Sequence, residues 1–89
     1  MNKKQKVIIN FKKAQSLISK IIEMLKDDRY CIDIMQQNLA VIGLLKSAHQ
    51  TLFENHLNTC LKSAMSKKNI NHQQKMINEI LKVAKLYNK

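Results

Sequence analysis

Proline is absent from this sequence and glycine occurs once, at Gly43. Strand-rich folds turn every 8–12 residues or so and draw on those two residue types to do it. Their scarcity excludes an all-β or α/β chain and leaves long helices. One glycine also cannot build a glycine-rich phosphate loop. Tryptophan is missing and acids are few, six against sixteen Lys and Arg, for a formal net charge of +10. Those six acids include no pair placed for acid/base work, because Asp27 and Asp28 are adjacent and point to different sides of a helix. No window approaches the ~18 consecutive apolar residues that span a bilayer. The basic start, Met1 to Lys6, is followed by no apolar stretch of a signal peptide. A cytoplasmic chain is expected, with Cys31 and Cys60 as reduced thiols rather than a disulfide. Eighty-nine residues make one domain, 1–89, with no room for a large enzyme cleft.

What is present is helical periodicity. Val7, Phe11, Ala14, Ile18, Ile21 and Leu25 step by fours and threes, which draws one stripe down a helix over about 5–26. Lys26-Asp27-Asp28-Arg29 breaks the pattern, and an aspartate there is placed to cap the next helix. A second helix is predicted over about 29–65, with Ile34, Val41, Leu45, Ala48, Leu52 and Leu57 on its apolar side. Gly43 costs it roughly 1 kcal/mol, too little to end it. Such a helix is about 50 Å long, more than a domain of this size can cover, and the simplest cover is a second copy of the chain. The polar connector 66–71 leads to a third helix over about 72–87, capped by Asn69 or Asn71, with Ile77, Ile80, Leu81, Ala84 and Tyr87 at helical spacing.

The charge suggests a polyanion, usually nucleic acid. Lysine used only for solubility is the bland alternative. Residues 1–26 hold seven lysines and one acid, Glu23. Among these, Lys6, Lys12, Lys13 and Lys20 lie largely off the apolar stripe and are the candidates for phosphate contacts. No glycine-containing turn joins two short helices, so there is no helix-turn-helix. DNA would be read through backbone charge and shape.

The chemistry-bearing set is Cys31, His56 and Cys60. His56 and Cys60 stand four apart, on one helical face. At about 100° per residue, Cys31 falls within about 20° of His56, and the same holds for Cys60 after whole turns. Yet 25 residues of helix separate Cys31 from His56 by about 37 Å. One straight chain cannot join them, whereas two antiparallel copies can, making two identical Cys-His-Cys sites about a two-fold axis. Two thiolates and an imidazole form a soft trigonal set suited to Cu(I). Zinc would need a fourth ligand, for which His49 and His72 are the remaining imidazoles.

Asp28-Arg29-Tyr30-Cys31-Ile32-Asp33-Ile34-Met35-Gln36-Gln37-Asn38-Leu39-Ala40-Val41, followed by His56-Leu57-Asn58-Thr59-Cys60, resembles the CsoR/RcnR family of bacterial metal-sensing repressors over nearly the whole chain. Within that family the Cys-His-Cys set is similar to that of the copper sensors. The resemblance implies an all-α, three-helix protomer with one long central helix. It also implies an antiparallel dimer and a tetramer built from two dimers. Cu(I) would be bound by Cys31 of one protomer with His56 and Cys60 of its partner, with Tyr30 and Glu79 as supporting residues around the metal. The apo form would hold operator DNA, and copper would release it, raising expression of copper-export genes. The family's first helix carries an Arg-x-x-Arg-x-x-Gly-Gln run; here Asn10, Lys13 and Ser16-Leu17 stand at those places. That departure keeps open a copper-binding member without specific DNA binding. The two cysteines alone would also suit a thiol or persulfide sensor.

Overall fold

A computed structural model describes residues 2–88. All regular structure among them is helical. Helix α1 spans Lys3–Lys26 and α2 spans Cys31–Asn55; a π-helical turn follows over His56–Leu61, then α3 over Lys62–Ser66 and α4 over Ile70–Tyr87. The long helix predicted over 29–65 therefore corresponds to three consecutive pieces. Backbone angles at Asn55 and Leu61 stay in the right-handed helical region, so the change there is one of hydrogen-bond register.

Helix α1 starts on a capping box. The Asn2 side chain accepts from the Gln5 amide at 2.8 Å, and the Asn2 amide donates to the Gln5 side chain at 3.1 Å. Two otherwise orphaned amides are thereby satisfied. The same helix ends on a Schellman turn, in which the Arg29 amide donates to the Met24 carbonyl at 3.0 Å and the Asp28 amide to Leu25 at 3.3 Å. Both aspartates of the 26–29 break thus serve the end of α1, whereas the sequence pattern assigned one of them to the start of the next helix. Asp27 is the C-cap, and Asp28 takes φ 52, the left-handed conformation that closes the motif. Glycine adopts that conformation without the Cβ clash that Asp28 bears. Asp28→Gly should raise stability by about 0.5–1 kcal/mol. Thermal unfolding followed by circular dichroism checks this, and a lowered midpoint would refute it.

The chain divides into two compact units, one ending at Phe53 and the other beginning at Glu54. In the first, α1 and α2 form an antiparallel hairpin about the short 27–30 connection. Asn10 Nδ2 donates to Ser47 Oγ at 3.2 Å across that hairpin. Val7, Ala14 and Met24 of α1 are buried, as are Val41 and Ala48 of α2. The seven-residue steps Val7 to Ala14 and Val41 to Ala48 are those of helices packed lengthwise. An added Cβ at Gly43 would meet nothing within 4 Å, so no close approach within the chain requires a glycine there.

The second unit is held at its connector. Gln73 Nε2 donates to the Lys67 carbonyl at 2.7 Å and lies 3.3 and 3.4 Å from those of Met65 and Ala64. One α4 side chain thereby gathers three carbonyls at the end of α3, of which that of Ala64 also accepts from the Lys67 amide. Asn69 caps α4, accepting from the His72 amide at 3.1 Å; of the two asparagines the sequence offered, it is the one used.

Among the described residues no large side chain is fully buried. Of the apolar positions expected along the central helix, Val41 and Ala48 go inside, while Leu45 and Leu52 remain exposed. A second stripe, Ile32, Met35, Leu39 and Ile42, is also exposed, and its 3-4-3 spacing is that of a coiled-coil seam.

Candidate metal centre and nucleic-acid face

Cys31 is the first residue of α2, and its side chain is exposed. Tyr30 precedes it, 69% exposed, and its carbonyl accepts from the amides of Asp33 at 3.1 Å and Ile34 at 3.3 Å. Tyr30 thus forms the backbone start of the helix that carries Cys31.

His56 and Cys60 share the π turn, His56 half-buried and Cys60 exposed. A turn closed by i→i+5 bonds is wider than an α turn. Residues four apart then fall just short of a full revolution, where in an α-helix they fall just past it. The pair stays on one face, but Cys60 is swung to the other side of His56 from where uniform α-periodicity puts it. The sequence holds a signal for this turn: Leu52 and Leu57 are five apart in a pattern of threes and fours. Single π turns are rare and occur frequently at functional sites.

Both cysteines are free thiols. Thr59, which the sequence pattern did not single out, lies against one of them. Its Oγ1 donates to the Asn55 carbonyl at 2.6 Å and stands 3.6 Å from Cys60 Sγ. Glu79 is exposed on α4, in the same unit as His56 and Cys60. It lines a shallow polar groove with Asn71, Lys75 and Asn78. His49 stacks on Phe53 with ring centroids 6.4 Å apart. Among the described residues no group of three His, Cys, Asp or Glu side chains gathers to hold a metal. The donor chemistry nevertheless fits a soft ion: two exposed thiols outside any disulfide and an imidazole one turn from one of them.

Lys6, Lys12, Lys13 and Lys20 are all exposed on α1. The ion pair found among the described residues is Lys26–Glu23 at 3.5 Å, on the surface, so among those residues none of these four lysines pairs with a carboxylate. The unit ending at Phe53 carries nine cations and four acids, and the remainder seven and two, so each is +5. Asn10 and Leu17, where the resembled family has arginine and glutamine, are engaged in the hairpin. Asn10 bonds Ser47. Leu17 is half-buried and lines a shallow groove with Ile9, Lys13 and Leu44. No helix among the described residues is long and apolar enough to cross a membrane.

Known proteins share this helical architecture. A family model described as metal-sensitive transcriptional repressor matches residues 3–85. The copper-sensing transcriptional repressor CsoR of Mycobacterium ulcerans is 38% identical over 64 residues, 72% of this chain and 55% of that protein. CsoR of Mycobacterium bovis strain BCG is 32% identical over 83 residues, covering 93% of this chain and 67% of that protein. The chain thus spans little more than half the length of the first and about two thirds of the second. The crystal structure of the copper-sensing repressor CsoR with Cu(I) from Geobacillus thermodenitrificans superposes with a TM-score of 0.85 at 26% identity, over 96% of this chain and 85% of that one. With its helical architecture and a match over nearly its whole length, the chain belongs to the family of metal-sensitive transcriptional repressors.

Proposed function

We propose that this chain is a Cu(I)-responsive transcriptional repressor of the cytoplasm, not an enzyme. In this reading it binds operator DNA in the apo form and lets go when copper binds, so that copper-export genes are expressed. The observation that carries the reading is the donor set: Cys31, His56 and Cys60, with both sulfurs free and exposed and the latter two residues in one π turn. Cys31 comes from one protomer and His56 with Cys60 from its antiparallel partner, which accounts for three donors that do not gather within one chain. Bound there, Cu(I) supplies a cross-link between chains. Tyr30 and Glu79 support the ligands, since residues around a metal orient its ligands and tune its affinity. The exposed stripe of Ile32, Met35, Leu39 and Ile42 supplies a surface for the partner, and two such dimers make the tetramer. Lys6, Lys12, Lys13 and Lys20 contact phosphates. A metal shifts DNA affinity only as far as it binds the two shapes of the assembly unequally.

A gel-shift with the protein's own promoter fragment tests this. The apo protein should retard the fragment at low salt, and one Cu(I) per chain should release it. Absence of any apo complex at low salt would remove the repressor reading. The commitment of Asn10 and Leu17 to helix packing favours one second reading, a copper-binding family member without an operator. It gives tight Cu(I) binding with sequence-blind DNA affinity of steep salt dependence.

A further inference from the structure

Thr59 occupies a position that the copper reading leaves unused. Its Oγ1 is 2.6 Å from the Asn55 carbonyl oxygen and 3.6 Å from Cys60 Sγ. A hydroxyl carries one hydrogen and two acceptor lone pairs, and a carbonyl oxygen can only accept. The short bond therefore holds the single hydroxyl hydrogen. In the contact with sulfur, Oγ1 is the acceptor and the Cys60 thiol the donor. Threonine bonding the carbonyl four residues back is common in helices and by itself says nothing about a ligand. The sulfur on its other side makes the difference. Five residues on from Asn55 is Cys60, the amide with which a π turn pairs that carbonyl. One carbonyl thus joins the backbone of the candidate ligand to the hydroxyl beside its sulfur.

We propose that Thr59 is a positioning residue for Cys60, holding its hydrogen on the Asn55 carbonyl while Cys60 is a thiol and turning it to the sulfur when the sulfur becomes a metal ligand. This rests on the copper reading of the site. Were Cys60 to ligate a metal, its S–H bond would break and the proton would leave to water. No electrons are transferred, and the Thr59 O–H bond stays intact and only rotates. The coordinated sulfur then offers lone pairs where it had offered a hydrogen. Thr59 is the donor already within reach, and a hydrogen bond to a charged acceptor exceeds one to a neutral carbonyl. Loading the sulfur thereby withdraws a bond from the backbone of the π turn, which links ligation to the helix that bears it.

The test uses Thr59→Val, Thr59→Ala and Thr59→Ser in the full chain, with circular dichroism to show that helix content is retained. The first readout needs no metal. With Cys31→Ser present, Cys60 is the one thiol, and its S–H stretch is recorded by infrared spectroscopy. That stretch should move to higher frequency in Thr59→Val and Thr59→Ala and stay in place in Thr59→Ser. The second readout, with Cys31 intact, is Cu(I) affinity by competition with a chromophoric chelator. Loss of the hydroxyl should weaken it about 10-fold, and serine should restore it. An unmoved S–H stretch, or a moved stretch with unchanged affinity, overturns the role of Thr59 while leaving the copper reading in place. A parent protein that takes up no Cu(I) removes the copper reading, and this role with it.

Discussion

Mixing a Cys31→Ala chain with a His56→Ala/Cys60→Ala chain is expected to restore Cu(I) binding that neither variant shows alone. Every site in the first variant lacks one sulfur, and every site in the second lacks a sulfur and the imidazole. Under the proposed pairing a mixed dimer holds one intact set, Cys31 from one partner with His56 and Cys60 from the other, and its other set has no donor left. Random exchange makes half the dimers mixed, so about one ion per four chains should be recovered under two-fold pairing. Anaerobic Cu(I) titration with a competing chelator measures this directly. The expectation rests on the length of α2, whose 25 residues from Cys31 to Asn55 make about 37 Å of helix at 1.5 Å each, far beyond the span of one metal ion. Recovery of no binding would place the donors within a single chain, and strong binding by either variant alone would show that the residues replaced in it are not the ligands.

The second large effect concerns the seam on α2. Leu39 is 65% exposed within the chain, flanked along its stripe by Ile32, Met35 and Ile42. Burying a leucine is worth about 1.5–3 kcal/mol. Because a two-fold axis uses each position twice, Leu39→Lys should cost a dimer about 3–6 kcal/mol. That corresponds to roughly a 10²–10⁴-fold rise in Kd, and placing an unpaired ammonium in the seam adds to it. Sedimentation velocity should show a shift toward monomer, with Cu(I) binding lost in parallel because the donors no longer meet. A variant that keeps the parent's mass would show that α2 pairs through some other face.

Much of the fold was legible in the sequence because helix formation leaves a periodic trace. The stripe from Val7 to Leu25 and the recurrence from Ile77 to Tyr87 are those of α1 and α4, and the lack of proline left nothing to interrupt them. The ends of the elements were less legible. Asn2 and Gln5 carry a capping box that starts α1 earlier than the apolar stripe does, since caps depend on single polar side chains and not on period. The two aspartates at 27 and 28 suit a helix start by residue preference, yet the turn needed a C-cap and a left-handed residue. Nothing in an Asp-Asp pair says which helix it serves. The π turn escaped the periodic reading because a constant angle per residue was carried through it. The five-residue step from Leu52 to Leu57 was its only trace.

The donor types were likewise plain from the chain: two sulfurs and an imidazole at spacings that share a helix face. The surroundings of Cys60 were not. Thr59 is one of two threonines in the chain, and the contact of its Oγ1 with a thiol as well as the Asn55 carbonyl is a matter of side-chain placement that periodicity does not encode.

By itself, then, the sequence determined helical class, basic charge and the chemistry of the candidate ligands, because each depends on residue type and spacing along one axis. Only the tertiary structure decided which apolar stripe is consumed within the hairpin and which is left outside. It also decided that Asn10 and Leu17 serve helix packing, because a side chain's partner lies on another helix. Pairing between Asn10 and Ser47 spans 37 residues. No local pattern encodes it; it exists once the 27–30 turn has folded α1 back along α2.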